Sequence, residues 1–80
     1  MKNREKYDQC FREAFELSEE ENLETLKYQS IDEWDSIGHM SLMSELEDAF
    51  NIEIKTEDLI RFESYVQGAT ILAIYSVELD

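Results

Sequence analysis

The stretch Trp34-Asp35-Ser36-Ile37-Gly38-His39-Met40-Ser41-Leu42-Met43-Ser44-Glu45-Leu46-Glu47-Asp48-Ala49-Phe50-Asn51-Ile52-Glu53-Ile54 decides the fold. At about 100° per residue, a helix from about Ser36 to Asn51 gathers Leu42, Met43, Leu46, Ala49 and Phe50 on one side, with His39 at that side's edge. This is a core-facing stripe. The opposite side presents Ile37, Met40, Ser41, Ser44, Glu47 and Asp48, apolar near Ser36 and acidic farther along. Ile52 and Ile54 follow in a loop, from which they are expected to plug the core.

Toward the N-terminus, Tyr7, Cys10, Phe11, Ala14 and Phe15 recur at three- and four-residue spacing, which predicts a first helix over roughly residues 3–17. Its polar face carries Lys6, Arg12, Glu13 and Glu16. From Ser18 to Asp35 the period is lost, beginning with the self-repelling acid run Ser18-Glu19-Glu20-Glu21-Asn22, so a long loop is expected. Leu23, Leu26, Tyr28, Ile31 and Trp34 are spaced to pin that loop onto the helices, and Ser30-Ile31-Asp32-Glu33 matches a capping box for one short turn.

Toward the C-terminus, Thr56-Glu57-Asp58-Leu59-Ile60 reads as the capped start of a short helix, with acids in the first turn that suit its dipole. Ser64-Tyr65-Val66-Gln67 is a second capping box, opening a last helix whose inward stripe is expected at Val66, Ala69, Thr70, Ala73, Ile74 and Val77. Gly68 inside that helix costs about 1 kcal/mol relative to alanine. With no proline, two glycines and no repeat, nothing divides residues 1–80 into more than one domain. The expectation is an all-α fold, a small four-helix bundle with a long first loop and a short third helix.

Eighty residues leave little room for an enzyme pocket of ordinary size. A formal charge of −13, from 20 acids against 7 bases, argues against binding nucleic acid and for basic protein partners. A hydrophobic content of 42% excludes a disordered acidic tail. Cys10 is the sole cysteine, so neither an internal disulfide nor a multi-cysteine zinc site can form; a core position in a reducing compartment is expected. The N-terminal Met1-Lys2-Asn3-Arg4-Glu5-Lys6-Tyr7-Asp8 lacks the apolar block of a signal peptide, and no run approaches membrane-spanning length. A soluble cytoplasmic monomer without membrane insertion is the expectation.

Ser36 stands at the start of the second helix, where unpaired backbone N–H groups and the dipole favour a phosphodiester by about 0.3–1 kcal/mol. An isolated Asp-Ser pair would serve only as an N-cap, through either residue. Here the downstream pattern adds to it: residues 34–54 resemble the attachment-site region of acyl carrier proteins and their peptidyl-carrier relatives, and the helix order extends the resemblance over nearly the whole chain.

The resemblance implies that Ser36, in the Asp35-Ser36 motif, bears 4′-phosphopantetheine transferred from coenzyme A by a Mg²⁺-dependent phosphopantetheinyl transferase. It implies Ile37 and Met40 as partner-facing apolar contacts, Glu47 and Asp48 as acids met by basic partner surfaces, and Leu42, Leu46, Phe50 and Ile54 as core. The chain is then a phosphoprotein and a carrier of thioester cargo, in a pathway such as fatty acid or polyketide biosynthesis. Its partners would be an acyl ligase, synthase or acyltransferase. No catalytic residue and no metal ligand are assigned. Glu33-Trp34 stands where a glycine is common in the family and Lys55 where a proline is common, while Gly38-His39 is closer to stand-alone carriers of specialised pathways.

Other readings use the same residues. A hydrolase would pair Ser36 with His39, oriented by Asp35 or Asp32, but the chain has no nucleophile elbow. The acid clusters lack a calcium-loop pattern, and one histidine with one cysteine cannot close a zinc site. An unmodified acidic adaptor would dock a basic protein through the second helix. Among carriers, the acidity leans toward acyl over peptidyl or aminoacyl cargo, and the small residues Ala49, Gly68, Ala69 and Ala73 are expected to leave room for a modestly sheltered acyl chain.

Overall fold

A computed structural model describes residues 2–79, and among them the chain forms four helices and no strand: α1 (Asn3–Phe15), α2 (Ser36–Phe50), α3 (Thr56–Arg61) and α4 (Tyr65–Ile74). The stripe on α1 is buried as its spacing predicts, through Tyr7, Cys10, Phe11 and Phe15, with Ala14 half-buried. Phe11 lies at the centre of an aromatic cluster, its ring 5.0–6.3 Å from those of Tyr7, Phe15, Trp34, Tyr65 and Phe62. The aromatic core therefore joins α1 to the long loop, to α4 and to the segment between α3 and α4. Leu42, Met43 and Leu46 complete it from α2.

α1 stops at Phe15 because Glu16 turns left-handed, with φ 54°, and its N–H returns to the Arg12 carbonyl. Arg12 then governs the acid run. Its guanidinium donates to the carbonyls of Ser18 and Glu19 at 3.1 Å and of Glu21 at 3.4 Å, which folds that segment around a cation. Farther on, Leu23, Leu26 and Trp34 are buried and Tyr28 and Ile31 half-buried, so the loop is pinned as expected. Ser30 does not open a capped turn, however: its hydroxyl turns back to the N–H and carbonyl of Lys27 at 2.9 and 2.7 Å.

The loop is also tied to the α3–α4 connection through the main chain. Lys27 and Ser64 form an isolated antiparallel bridge, with Tyr28 N donating to Glu63 O at 2.8 Å and Tyr65 N to Leu26 O at 3.0 Å. α3 begins one residue earlier in its capping frame than the sequence suggests. Lys55 is the N-cap and contributes no side-chain bond, while Thr56 lies inside the helix. A different device holds α3: buried Asp58 accepts from the Tyr75 hydroxyl at 2.6 Å and from Arg61 at 3.1 Å, and the same tyrosine oxygen accepts the Lys55 N–H at 2.8 Å.

Ser64 caps α4 as predicted, accepting from Gln67 N at 3.0 Å. The face it turns inward is not the predicted one. Tyr65, Gly68, Ile71 and Leu72 are buried, whereas Val66 and Ile74 are 62% and 61% exposed; of the expected stripe only Val77, beyond the helix, is buried. The choice is made by Tyr65 and Gly68. Tyr65 donates to Asp8 and accepts from Arg4, and its backbone carbonyl accepts the Tyr7 hydroxyl at 2.6 Å. At Gly68 an added Cβ would run into the Phe62 ring and the Tyr7 hydroxyl, so the absence of a side chain lets α4 approach both.

Candidate functional site

The site grows from Trp34, which is fully buried beneath the start of α2. Its indole N–H donates to His39 Nδ1 at 3.0 Å, and an indole nitrogen can only donate, so Nδ1 is the unprotonated nitrogen. The imidazole proton therefore sits on Nε2, which donates to Leu59 O at 2.9 Å. One buried ring thus links the long loop, α2 and α3. His39 belongs to the interior, at 9% exposure, and not to a helix edge.

Gly38 permits the same convergence. A Cβ there would overlap the Glu33 carbonyl and come within 3.3 Å of the Phe15 ring, so only glycine lets the loop lie this close to α2. The Gly38 N–H is taken by Asp35 Oδ1 at 2.8 Å, which identifies Asp35 as the N-cap. Ser36 is consequently the first helical residue, exposed and free of capping duty. The amides of Ser36 and Ile37 belong to the first turn and have no carbonyl within α2 to bond. The Ser36 Oγ lies 3.3 Å from the hydroxyl of Tyr28.

Beside Ser36 runs an apolar groove of about 360 Å³, walled by Tyr28, Met40, Leu59, Ile60 and Phe62. Around it, Ile37, Met40 and Ile60 are exposed at 79%, 52% and 67%. Ile60 was not singled out by its sequence; its place becomes visible only when α3 is laid against α2. The groove is not where the small residues lie. Phe62 and Tyr7 fill the space at Gly68 and Ala73 is exposed, while Ala69 borders a separate surface pocket of about 260 Å³ with Arg4, Glu24, Tyr65, Val66 and Leu79, away from Ser36.

The two predicted docking acids differ in circumstance. Asp48 is exposed, whereas Glu47 is half-buried and its Oε2 accepts the Ile54 N–H at 2.9 Å, which ties the end of α2 to the following loop. Leu42, Leu46 and Ile54 are buried and Phe50 is half-buried. Ser36 and His39 do not form a catalytic pair: both imidazole nitrogens are engaged elsewhere, and the partner of Ser36 Oγ is Tyr28. Cys10 is buried in the core, and burial, with help from Glu45 and Glu13, pushes its thiol up to about 12. Among the described residues no three His, Cys, Asp or Glu side chains converge as a metal site. No helix there is long and apolar enough to cross a membrane.

Comparison with protein-family models, curated proteins and solved structures finds no match to this chain. An exposed primary alcohol, first-turn amides and a neighbouring phenol suit a phosphodiester, and the adjoining apolar groove suits an organic chain attached to it.

Proposed function

We propose that this chain is a carrier domain of the acyl carrier type, bearing 4′-phosphopantetheine on Ser36 and carrying acyl groups as thioesters between the enzymes of a biosynthetic pathway. The observation that carries the reading is the exposure of Ser36 in the first turn of α2, relieved of capping by Asp35 and bordered by the apolar groove. In the attachment reaction the Ser36 oxygen forms a bond to the coenzyme A phosphorus that bears pantetheine. The bond from that phosphorus to 3′,5′-ADP breaks, and the serine proton passes to a base of the transferase. The carrier supplies the alcohol and its presentation, not the base. No catalytic residue of its own is required.

The arm contributes local concentration: cargo on a tether meets a docked enzyme as an intramolecular partner. Ile37, Met40 and Ile60 provide an apolar contact around the attachment point, and Asp48 with the other surface acids steers basic docking sites toward it. The groove is near the lower end of the roughly 300–1,000 Å³ usual for ligand pockets, which suits partial shelter of a short acyl group.

Coexpression with a phosphopantetheinyl transferase followed by intact-mass measurement tests the reading. One phosphopantetheine increment on the wild type, lost in Ser36→Ala, is expected. An unmodified wild type would favour an acidic adaptor that docks basic proteins without an arm.

A further inference from the structure

We infer that Tyr28 is a positioning residue for the arm, its hydroxyl holding the phosphodiester at Ser36 against the groove; this rests on the carrier reading. Tyr28 is placed by contacts unrelated to its hydroxyl. Its N–H donates to Glu63 O at 2.8 Å, and its ring stands edge-on to Trp34 and His39, with centroids 6.4 and 5.6 Å away. A phenylalanine would satisfy all of these. The phenolic oxygen has one hydrogen-bond partner among the described residues, Ser36 Oγ at 3.3 Å.

That distance is longer than the roughly 2.7–2.8 Å of a tight hydroxyl pair, so the contact adds little to the fold. Its chemistry changes once Ser36 is esterified. Before modification either hydroxyl can donate. Afterwards the serine oxygen has no proton, so Tyr28 becomes the sole donor of the pair and faces an anion, and hydrogen bonds to ionised acceptors are shorter and about twice as strong as neutral ones. The tyrosine hydroxyl and the first-turn amides of α2 would then share the phosphodiester. Because the Tyr28 ring is also a wall of the groove, the same residue sets the side on which the arm leaves the serine.

Phosphorus-31 NMR of the arm-bearing protein tests this, with wild type and Tyr28→Phe each loaded by a transferase and checked by intact mass for one arm per chain. In Tyr28→Phe the phosphodiester resonance is expected to move and to narrow as the phosphate loses an anchor. Amide shifts of core residues such as Leu46 and Ile71 should stay in place, which separates loss of the anchor from loss of the fold. Identical phosphorus shift and relaxation in the two loaded proteins would overturn the assignment to Tyr28 while leaving the carrier reading intact. A wild type that accepts no arm in the mass spectrum would overturn both.

Discussion

Replacing His39 by alanine is expected to remove a large part of the stability of this small protein. The substitution orphans the indole N–H of Trp34, a fully buried donor, at a cost of about 1–3 kcal/mol. It also removes the bond from Nε2 to Leu59 O, worth about 1 kcal/mol, although that oxygen keeps a longer contact to Phe62 N at 3.4 Å. Loss of the packed ring brings the total to about 3–4 kcal/mol. For 80 residues the whole stability is of order 4–12 kcal/mol, so the variant retains a fraction of it. Urea unfolding is the assay: Trp34 is the only tryptophan and reports its own environment, with far-UV circular dichroism for variants that lack it. With a slope of about 1–2 kcal/mol per molar urea, the midpoint should fall by about 1.5–4 M. His39→Leu combined with Trp34→Phe should cost less than the two single changes together, because an apolar pair leaves neither nitrogen stranded. A loss below about 1 kcal/mol in His39→Ala, or plain additivity in the double variant, would refute the relay.

Asp35→Ala should lower stability by about 1 kcal/mol through loss of the α2 cap, whereas Ser36→Ala should leave the thermal midpoint within a degree or two, a contrast that scanning calorimetry reads directly. Gly68→Ala should destabilise by about 1–3 kcal/mol despite its better helix propensity, since the new methyl meets Phe62 and Tyr7; a stabilised variant in urea unfolding would contradict the packing. Stability should also fall in alkali. Burial raises the Cys10 thiol from 9.0 to about 12 and the Tyr65 phenol from 10.0 to about 12, so the fold favours both neutral forms. Their contribution is full below about pH 9 and is lost as pH rises toward 12, a slope in urea midpoint that Cys10→Ala should flatten.

The sequence announces α1 and α2 because each sets an apolar stripe against charged residues, and a 3.6-residue period is readable only where the two alternate. α4 shows the limit of that signal. From Ser64 to Val77 there is no charged residue to mark an outside, so Val66 and Ile74 are as plausible inward as Ile71 and Leu72. Their sorting depends on what Tyr65 and Gly68 meet on α1, contacts more than fifty positions away in sequence. At the candidate site, Asp35, Ser36, Ile37 and Met40 are marked by one contiguous motif. Tyr28, Leu59, Ile60 and Phe62 are not, because the groove arises from a loop without periodicity folding against a helix of six residues. The sequence places His39 only at the edge of the core-facing stripe; its bonds to Trp34 and Leu59 are not legible there, since the two partners come from opposite sides of α2 in the chain.

The rim of the groove is fastened by peptide groups: Tyr28 N to Glu63 O, Tyr65 N to Leu26 O, and the Lys27–Ser64 bridge between them. Any residue but proline can supply an N–H, so this seam does not depend on which side chains are mounted along it. Side chains at 27 and 63 are thereby released from fastening and left open to exchange. Of the two, the side chain at 63 lines the groove, so this edge can change its chemistry there while the stitching underneath stays as it is.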